Sequence, residues 1–215
     1  MATIKTIAIV GATGRMGSEI AKHFSETKGY RLLLMARDQD RLDELKHQLQ
    51  NREASAELDT ITCAKDASWE ADIIILAIPH NAEKQIAEQI RDVATGKVII
   101  SISNPTEHLS NNPGSQPATS AAEQLQRLLP NSKVVKAFNT MSVAHFEATA
   151  NARRTIDIYI AGNNGDAVDV VARMVSSVGF HPVKVGDLSV SRTLERLQRI
   201  LVKEPHNDQH NWLAG

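Results

Sequence analysis

Ile4-Lys5-Thr6-Ile7-Ala8-Ile9-Val10-Gly11-Ala12-Thr13-Gly14-Arg15-Met16-Gly17 decides the fold. A short β-branched run ends at Val10, glycines follow at 11, 14 and 17, and Ile20, Ala21 and Phe24 then fall at helical spacing. Strand, tight turn and helix in that order are the setting in which a glycine pattern predicts a bound dinucleotide. Gly11 lets the chain turn sharply out of the strand. Gly14 lets the backbone approach a pyrophosphate, and Gly17 lets the helix lie close on the strand. The helix N-terminus adds free N–H groups and a partial positive charge for the phosphates. The pattern is GxxGxxG rather than GxGxxG, since Ala12 and Thr13 separate the first two glycines, so a plain strand-to-helix turn is the competing reading.

The next strand, Tyr30-Arg31-Leu32-Leu33-Leu34-Met35, completes a βαβ unit with a helix over 14–27. Its two strands are expected to be parallel with a right-handed crossover. The residues just beyond it choose the nucleotide. An acid there holds a ribose 2′-hydroxyl, whereas a cation suits a 2′-phosphate. Here they are Ala36-Arg37-Asp38, with Arg41 in the first turn of a helix over 39–50, so the expectation is NADP(H). A guanidinium can grip phosphate through two N–H groups and stack on adenine. Arg15, in the glycine turn, is a further phosphate candidate. The competing reading of Arg37 and Arg41 is a solvated surface cation. Asp38 reads either as the N-cap of the following helix or as a ribose acid displaced by one position.

Strands are expected over 58–62, 71–78, 97–102, 133–140, 156–162 and 180–185, and helices over 80–93, 120–129, 166–177 and 188–202. The near-continuous apolar runs of the first strands predict a sheet with helices on both faces. In such a doubly wound sheet, ligands lie outside the carboxyl ends of the strands. Ala77, Ile78, Pro79 and His80, at the end of the most apolar strand, are therefore placed to meet the nucleotide. The strand at 156–162 alternates apolar with polar and reads as lying nearer an edge. The polar, proline-containing stretch 104–120 reads as a lid or an insert. His206 and His210, in the polar tail 204–215, are four apart with no third ligand near, so no metal site is expected.

Composition sets the outer bounds. A 215-residue chain holds one sizeable core. Its 42% hydrophobic and 23% charged residues are those of a soluble globular protein. A net charge of −1 without a basic block gives no reason to expect nucleic acid or an anionic membrane. No apolar run reaches the length of a membrane span. The start of the chain shows no secretory pattern, and one cysteine, Cys63, forms no internal disulfide, so a cytoplasmic location is expected.

Several separated motifs together resemble one family. They are the Gly11–Gly17 turn, Ala36-Arg37 with Arg41, Leu76-Ala77-Ile78-Pro79, Ser103-Asn104-Pro105, Lys136-Ala137-Phe138-Asn139-Thr140, and Gly186-Asp187-Leu188 with Arg192 and Leu194-Glu195. They run in the order found in the NADP oxidoreductases that act on the deazaflavin coenzyme F420, and in their relatives among the six-transmembrane metalloreductases. The resemblance covers residues 4 to about 200, and the Lys-Ala-Phe-Asn-Thr run is its most specific part.

The resemblance implies an α/β fold, a Rossmann-type doubly wound parallel sheet. Residues 1–150 would bind NADP, and 151–215 would form a small C-terminal α/β extension packed on that domain. It implies that Gly11, Thr13, Gly14, Arg15, Met16 and Gly17 hold the pyrophosphate, and that Arg37 and Arg41 hold the 2′-phosphate. Ala36 stands where a hydroxyl residue is common and removes one contact. Ala77, Ile78, Pro79 and Ala137 would line the nicotinamide side. Hydride would pass directly between nicotinamide and a small redox acceptor: a deazaflavin, a flavin or a ferric chelate. Such a reaction asks for orientation of two rings rather than a nucleophile. Asn139, Ser103 and His80 are candidate orienting or proton-donating groups, each reading first as structural. A homodimer is expected to be possible, since the last helix and Trp212 offer apolar surface. Dihydrodipicolinate reductases share the Gly-Arg-Met-Gly turn, but their His-His and Lys site and Ser-Gly-Thr motif are absent here. A non-catalytic NADP(H) sensor on the same fold is the remaining alternative.

Overall fold

One eight-stranded sheet, with strand order β3-β2-β1-β4-β5-β6-β7-β8, carries every other element of the computed structural model. The structure describes residues 4–52, 54–105, 119–142, 146 and 156–203. The lid expected over 104–120 lies mostly outside them, and the 204–215 tail with its two histidines and Trp212 lies wholly outside. The strands are β1 Lys5–Val10, β2 Tyr30–Met35, β3 Glu57–Ile61, β4 Ile73–Leu76, β5 Val98–Ser101, β6 Lys133–Lys136, β7 Asp157–Gly162 and β8 His181–Gly186. The helices are α1 Arg15–Ser25, α2 Gln39–Gln50, α3 Ala64–Glu70, α4 His80–Ile90, α5 Ala121–Leu128, α6 Gly165–Ser177 and α7 Ser191–Lys203.

The first six strands are all parallel. Their order 3-2-1-4-5-6 reverses direction between β1 and β4, which is the Rossmann arrangement with its crevice at that switch. Alternate residues explain why both faces must be covered. In β1 and β2, Ile7, Ile9, Leu32 and Leu34 pack with α1, α2 and α6. Ala8, Val10, Leu33 and Met35 point the other way and pack with α3, α4 and α5. A strand with no polar face has no side to leave in water.

The structure departs from the sequence reading in four places. Strand β7 pairs antiparallel to β6, so the sheet is parallel through β6 and mixed beyond it. The C-terminal strands thus extend the same sheet, with β8 parallel to β7 at the edge. Helix α3 went unpredicted because its seven residues, Ala-Lys-Asp-Ala-Ser-Trp-Glu, hold too little apolar periodicity. The strand expected over 133–140 stops at Lys136, because Phe138 adopts φ +60° and turns the chain. The last helix expected over 188–202 begins as a single 3-10 turn, Leu188–Val190, ahead of α7. Among the described residues, no helix is long and apolar enough to cross a membrane.

Candidate dinucleotide site

The crevice begins where β1 ends. Gly11 sits at φ +88°, and a Cβ there would lie 2.4 Å from the Ala77 carbonyl oxygen at the end of β4. Both facts require glycine: the backbone conformation and the close approach of the two switch-point strands. Gly17 is required for a different reason. A Cβ on it would fall 2.2 Å from the Gly11 carbonyl oxygen, so only a bare Cα lets α1 dock on the turn. The turn is pinned from below by the Gly11 and Ala12 N–H groups, which donate to the Met35 carbonyl at 2.8 and 2.9 Å.

Helix α1 starts without a capping side chain, since its N-cap is Gly14, and no acidic residue occupies its first turn. Its exposed amide end is therefore left for an anion from outside the chain, where the helix dipole favours one. Arg15 is exposed there, Thr13 is half-buried, and the Met16 side chain turns inward onto the core.

The end of β2 supplies the second part. Asp38 is the N-cap of α2, its carboxylate accepting the Arg41 N–H at 3.2 Å. This decides between the two readings of Asp38: its carboxylate caps the helix. Arg41 reaches back, its guanidinium donating to the Thr13 carbonyl at 3.0 Å. Arg37 and Arg15 are exposed, and neither makes a side-chain hydrogen bond or ion pair with the described residues. The glycine turn and the end of β2 thus contribute three arginines, one of them bonded to the turn, and the nearby Asp38 carboxylate is already engaged. The site suits a dinucleotide with an additional phosphate.

The third part is at the ends of β4, β5 and β6. Ala77 and Ile78 are half-buried and Pro79 is exposed, so this stretch forms one wall of the crevice. Ala137 is fully buried and belongs to the core beneath it. His80 opens α4, its Nδ1 2.8 Å from Glu83 Oε2. The other oxygen of Glu83 accepts from Ser103 Oγ at 2.8 Å and Ser101 Oγ at 3.4 Å. Asn104 and Asn139 exchange hydrogen bonds, Asn104 Nδ2 to the Asn139 carbonyl at 2.9 Å and Asn139 Nδ2 to Asn104 Oδ1 at 3.0 Å. This pairing joins the β5 and β6 ends.

Sequence reasoning missed two buried charges. Lys136, fully buried, donates to the Ser103 carbonyl and to Glu195 Oε1 at 2.8 Å. Glu195 in turn accepts the Ala121 N–H at 3.1 Å, so one carboxylate neutralises the lysine and caps α5. A signal was present, because a lysine closing a buried parallel strand demands an internal partner. Nothing in the sequence said which carboxylate would supply it.

Fold and site together define a Rossmann-type dinucleotide-binding protein of the reductase and dehydrogenase class. Residues 6–105 match the family described as NADP oxidoreductase, coenzyme F420-dependent. The F420-dependent NADP reductase of Methanocaldococcus jannaschii is 28% identical over 207 residues, covering 91% of this chain and 90% of its own. Human metalloreductase STEAP2 is 32% identical over 138 residues, which are 64% of this chain and 26% of that protein. A solved structure from Arthrobacter sp. FB24, assigned as an F420-dependent NADP-reductase, superposes with a TM-score of 0.72 at 23% identity, covering 92% of this chain and 91% of that one. This last likeness is one of fold.

Proposed function

We propose that the chain is an NADP(H)-dependent oxidoreductase that moves hydride between NADP(H) and a flavin-like or deazaflavin acceptor. The observation that carries the nucleotide half is the unoccupied charge at the glycine turn. Among the described residues Arg15 and Arg37 have no side-chain partner, α1 has no capping side chain, and Asp38 is spent on α2. A nucleotide with a 2′-phosphate answers all three. When bound, it supplies a hydride at the nicotinamide ring. The chain supplies the cradle: Gly11, Thr13, Gly14, Met16 and Gly17 around the pyrophosphate, Arg15, Arg37 and Arg41 around the phosphates, and Ala77, Ile78 and Pro79 beside the ring, with Ala137 behind them.

The acceptor half rests on relatives that align over nine-tenths of both chains and are named F420-dependent NADP reductases. A ferric chelate is the second reading, favoured by the 32% identity to human metalloreductase STEAP2. In this proposal residues 1–150 bind the nucleotide, 151–215 complete the acceptor side, and the protein works in the cytoplasm, where a homodimer is compatible with its surface. The test is turnover: purified protein, NADPH, and F420, flavin mononucleotide or ferric citrate as acceptor, followed at 340 nm. Oxidation of NADPH with one acceptor and not with buffer alone supports the reading. Tight NADPH binding with no acceptor reduced favours a sensor instead.

A further inference from the structure

We propose that Asn139 selects the nicotinamide end of the dinucleotide, its side-chain oxygen accepting the carboxamide N–H; the proposal rests on the NADP(H) reading above and adds the residue that orients the ring. What carries it is a buried amide oxygen that has no donor and is locked in place at the carboxyl ends of β5 and β6.

The direction of the amide follows from its partners. Asn104 Nδ2 donates to the Asn139 backbone carbonyl at 2.9 Å. A backbone carbonyl only accepts, so the NH2 of Asn104 must face it, and the Asn104 oxygen is left for the Asn139 side chain. That oxygen takes the Asn139 NH2 at 3.0 Å. Turning over either amide would set oxygen against oxygen. The atom that remains is therefore Asn139 Oδ1, and it is an acceptor. Asn139 is 2% exposed, and its Oδ1 has no hydrogen-bond partner.

A buried acceptor left unpaired costs stability, so an orphan of this kind calls for a reason. Acceptors beside it are already engaged. The Ser101 carbonyl takes the Ala137 N–H at 3.3 Å, the Phe138 carbonyl takes the Met141 N–H at 3.3 Å, and the Ser103 carbonyl takes Lys136 Nζ. Two other buried side-chain atoms among the described residues lack a partner, the hydroxyls of Ser68 and Ser191. Neither is held in one orientation as the amide is. The backbone adds a second sign. Phe138, buried and bulky, sits at φ +60°, a conformation that such residues rarely adopt and that gathers at ligand sites. This turn ends β6 and carries Asn139 across to Asn104.

The place fits the ligand. Strand β5 is paired with β4, whose exit through Ala77, Ile78 and Pro79 walls the crevice. A dinucleotide with its pyrophosphate on the glycine turn lays its second nucleoside over the carboxyl ends of the strands beyond the switch point. The nicotinamide ring carries one N–H donor, its carboxamide, and a fixed acceptor recognises that group. Holding it fixes which face of the ring is turned to the redox acceptor.

The test is calorimetric titration of the full chain with three oxidised nucleotides: NADP⁺, its thionicotinamide analogue, which keeps the NH2, and its 3-acetylpyridine analogue, in which a methyl replaces the NH2. The wild type binds the first two alike and the acetylpyridine form about tenfold more weakly. Asn139→Ala binds NADP⁺ and the acetylpyridine form within about twofold of each other. Asn104→Ser unties the amide, and its discrimination falls between the two. A merely structural Asn139 would change all three affinities together and leave their ratios as they were. A wild type that binds the acetylpyridine form as well as NADP⁺ overturns the proposal without any variant, as does an Asn139→Ala protein that keeps the tenfold preference. If Asn139→Ala does not fold, Asn104→Ser decides in its place, and undiminished discrimination there overturns the proposal. A wild type that binds none of the three nucleotides overturns the NADP(H) reading, and this one with it; binding of all three alike overturns this one alone.

Discussion

The guanidinium of Arg41 donates to the carbonyl oxygen of Thr13 at 3.0 Å, across 28 residues of sequence. That bond ties the first turn of α2 to the glycine turn that opens α1. Arg41 therefore acts on the turn as well as on any ligand, whereas Arg37, with no side-chain partner among the described residues, is available to a ligand. The two arginines are expected to behave differently when removed.

Arg37→Ala weakens NADPH binding about 10- to 100-fold, the loss of a charge-assisted hydrogen bond of roughly 1.5–3 kcal/mol. NADH, which lacks the 2′-phosphate, is hardly affected. Arg41→Ala loosens the turn and weakens both nucleotides. Fluorescence titration of each variant with NADPH and NADH checks the pattern, and equal losses for Arg37→Ala would remove the basis for the NADP assignment.

Gly17→Ala forces a Cβ to within 2.2 Å of the Gly11 carbonyl oxygen, a backbone atom that cannot swing aside. The helix must lift off the turn, at a cost of about 1–3 kcal/mol. Thermal unfolding is expected several degrees lower, and nucleotide binding is lost along with the altered turn. Gly29→Ala is the informative contrast: no atom lies within 4 Å of a Cβ there, although its φ of +90° still penalises a side chain. It lowers stability without touching nucleotide affinity.

Lys136→Met leaves Glu195 buried and without its cation. Breaking such a pair from one side costs about 3–5 kcal/mol, seen as a lower urea midpoint. The double variant Lys136→Met with Glu195→Leu is less damaged than the two single losses added together. It does not return to wild type, because Ala121 at the start of α5 has lost its acceptor.

Acid sensitivity should trace partly to Glu123. The Arg192 guanidinium, followed by the Ser120 backbone and hydroxyl, holds its carboxyl at about 2, against an ordinary value of 4.5. A carboxyl depressed in the folded state stabilises fully above its unfolded value and loses that contribution as pH falls through the folded one. Stability is therefore expected to drop between about pH 4.5 and pH 2. Glu123→Gln lowers stability at neutral pH and flattens that part of the pH profile, as read by chemical denaturation at successive pH values.

Much of this protein was legible from local pattern alone. The β1–α1–β2 unit, the glycines, the cation at the end of β2 and the exit of β4 through Pro79 are short-range features, and each has a physical cause within a few residues of itself. Helix α2 starts and stops at the limits its leucine stripe and Asp38 predict. What local pattern could not carry was pairing across the chain. The antiparallel entry of β7 depends on which edge remains open after β6, and Asp38 is committed to α2 only through the geometry of one turn. The partners of buried charges lie far off in sequence: Glu83 meets Ser103 across 20 residues, and Lys136 meets Glu195 across 59. A buried charge announces that it needs a partner, because desolvation would otherwise be too costly. Only the packing of β5, β6 and α7 against one another names it. The sequence by itself determined a dinucleotide-binding α/β protein with a cation-rich turn; the tertiary structure decided that Arg41 is tied to that turn, which carboxylates are spent, and that a histidine beside the crevice has a buried acid behind it.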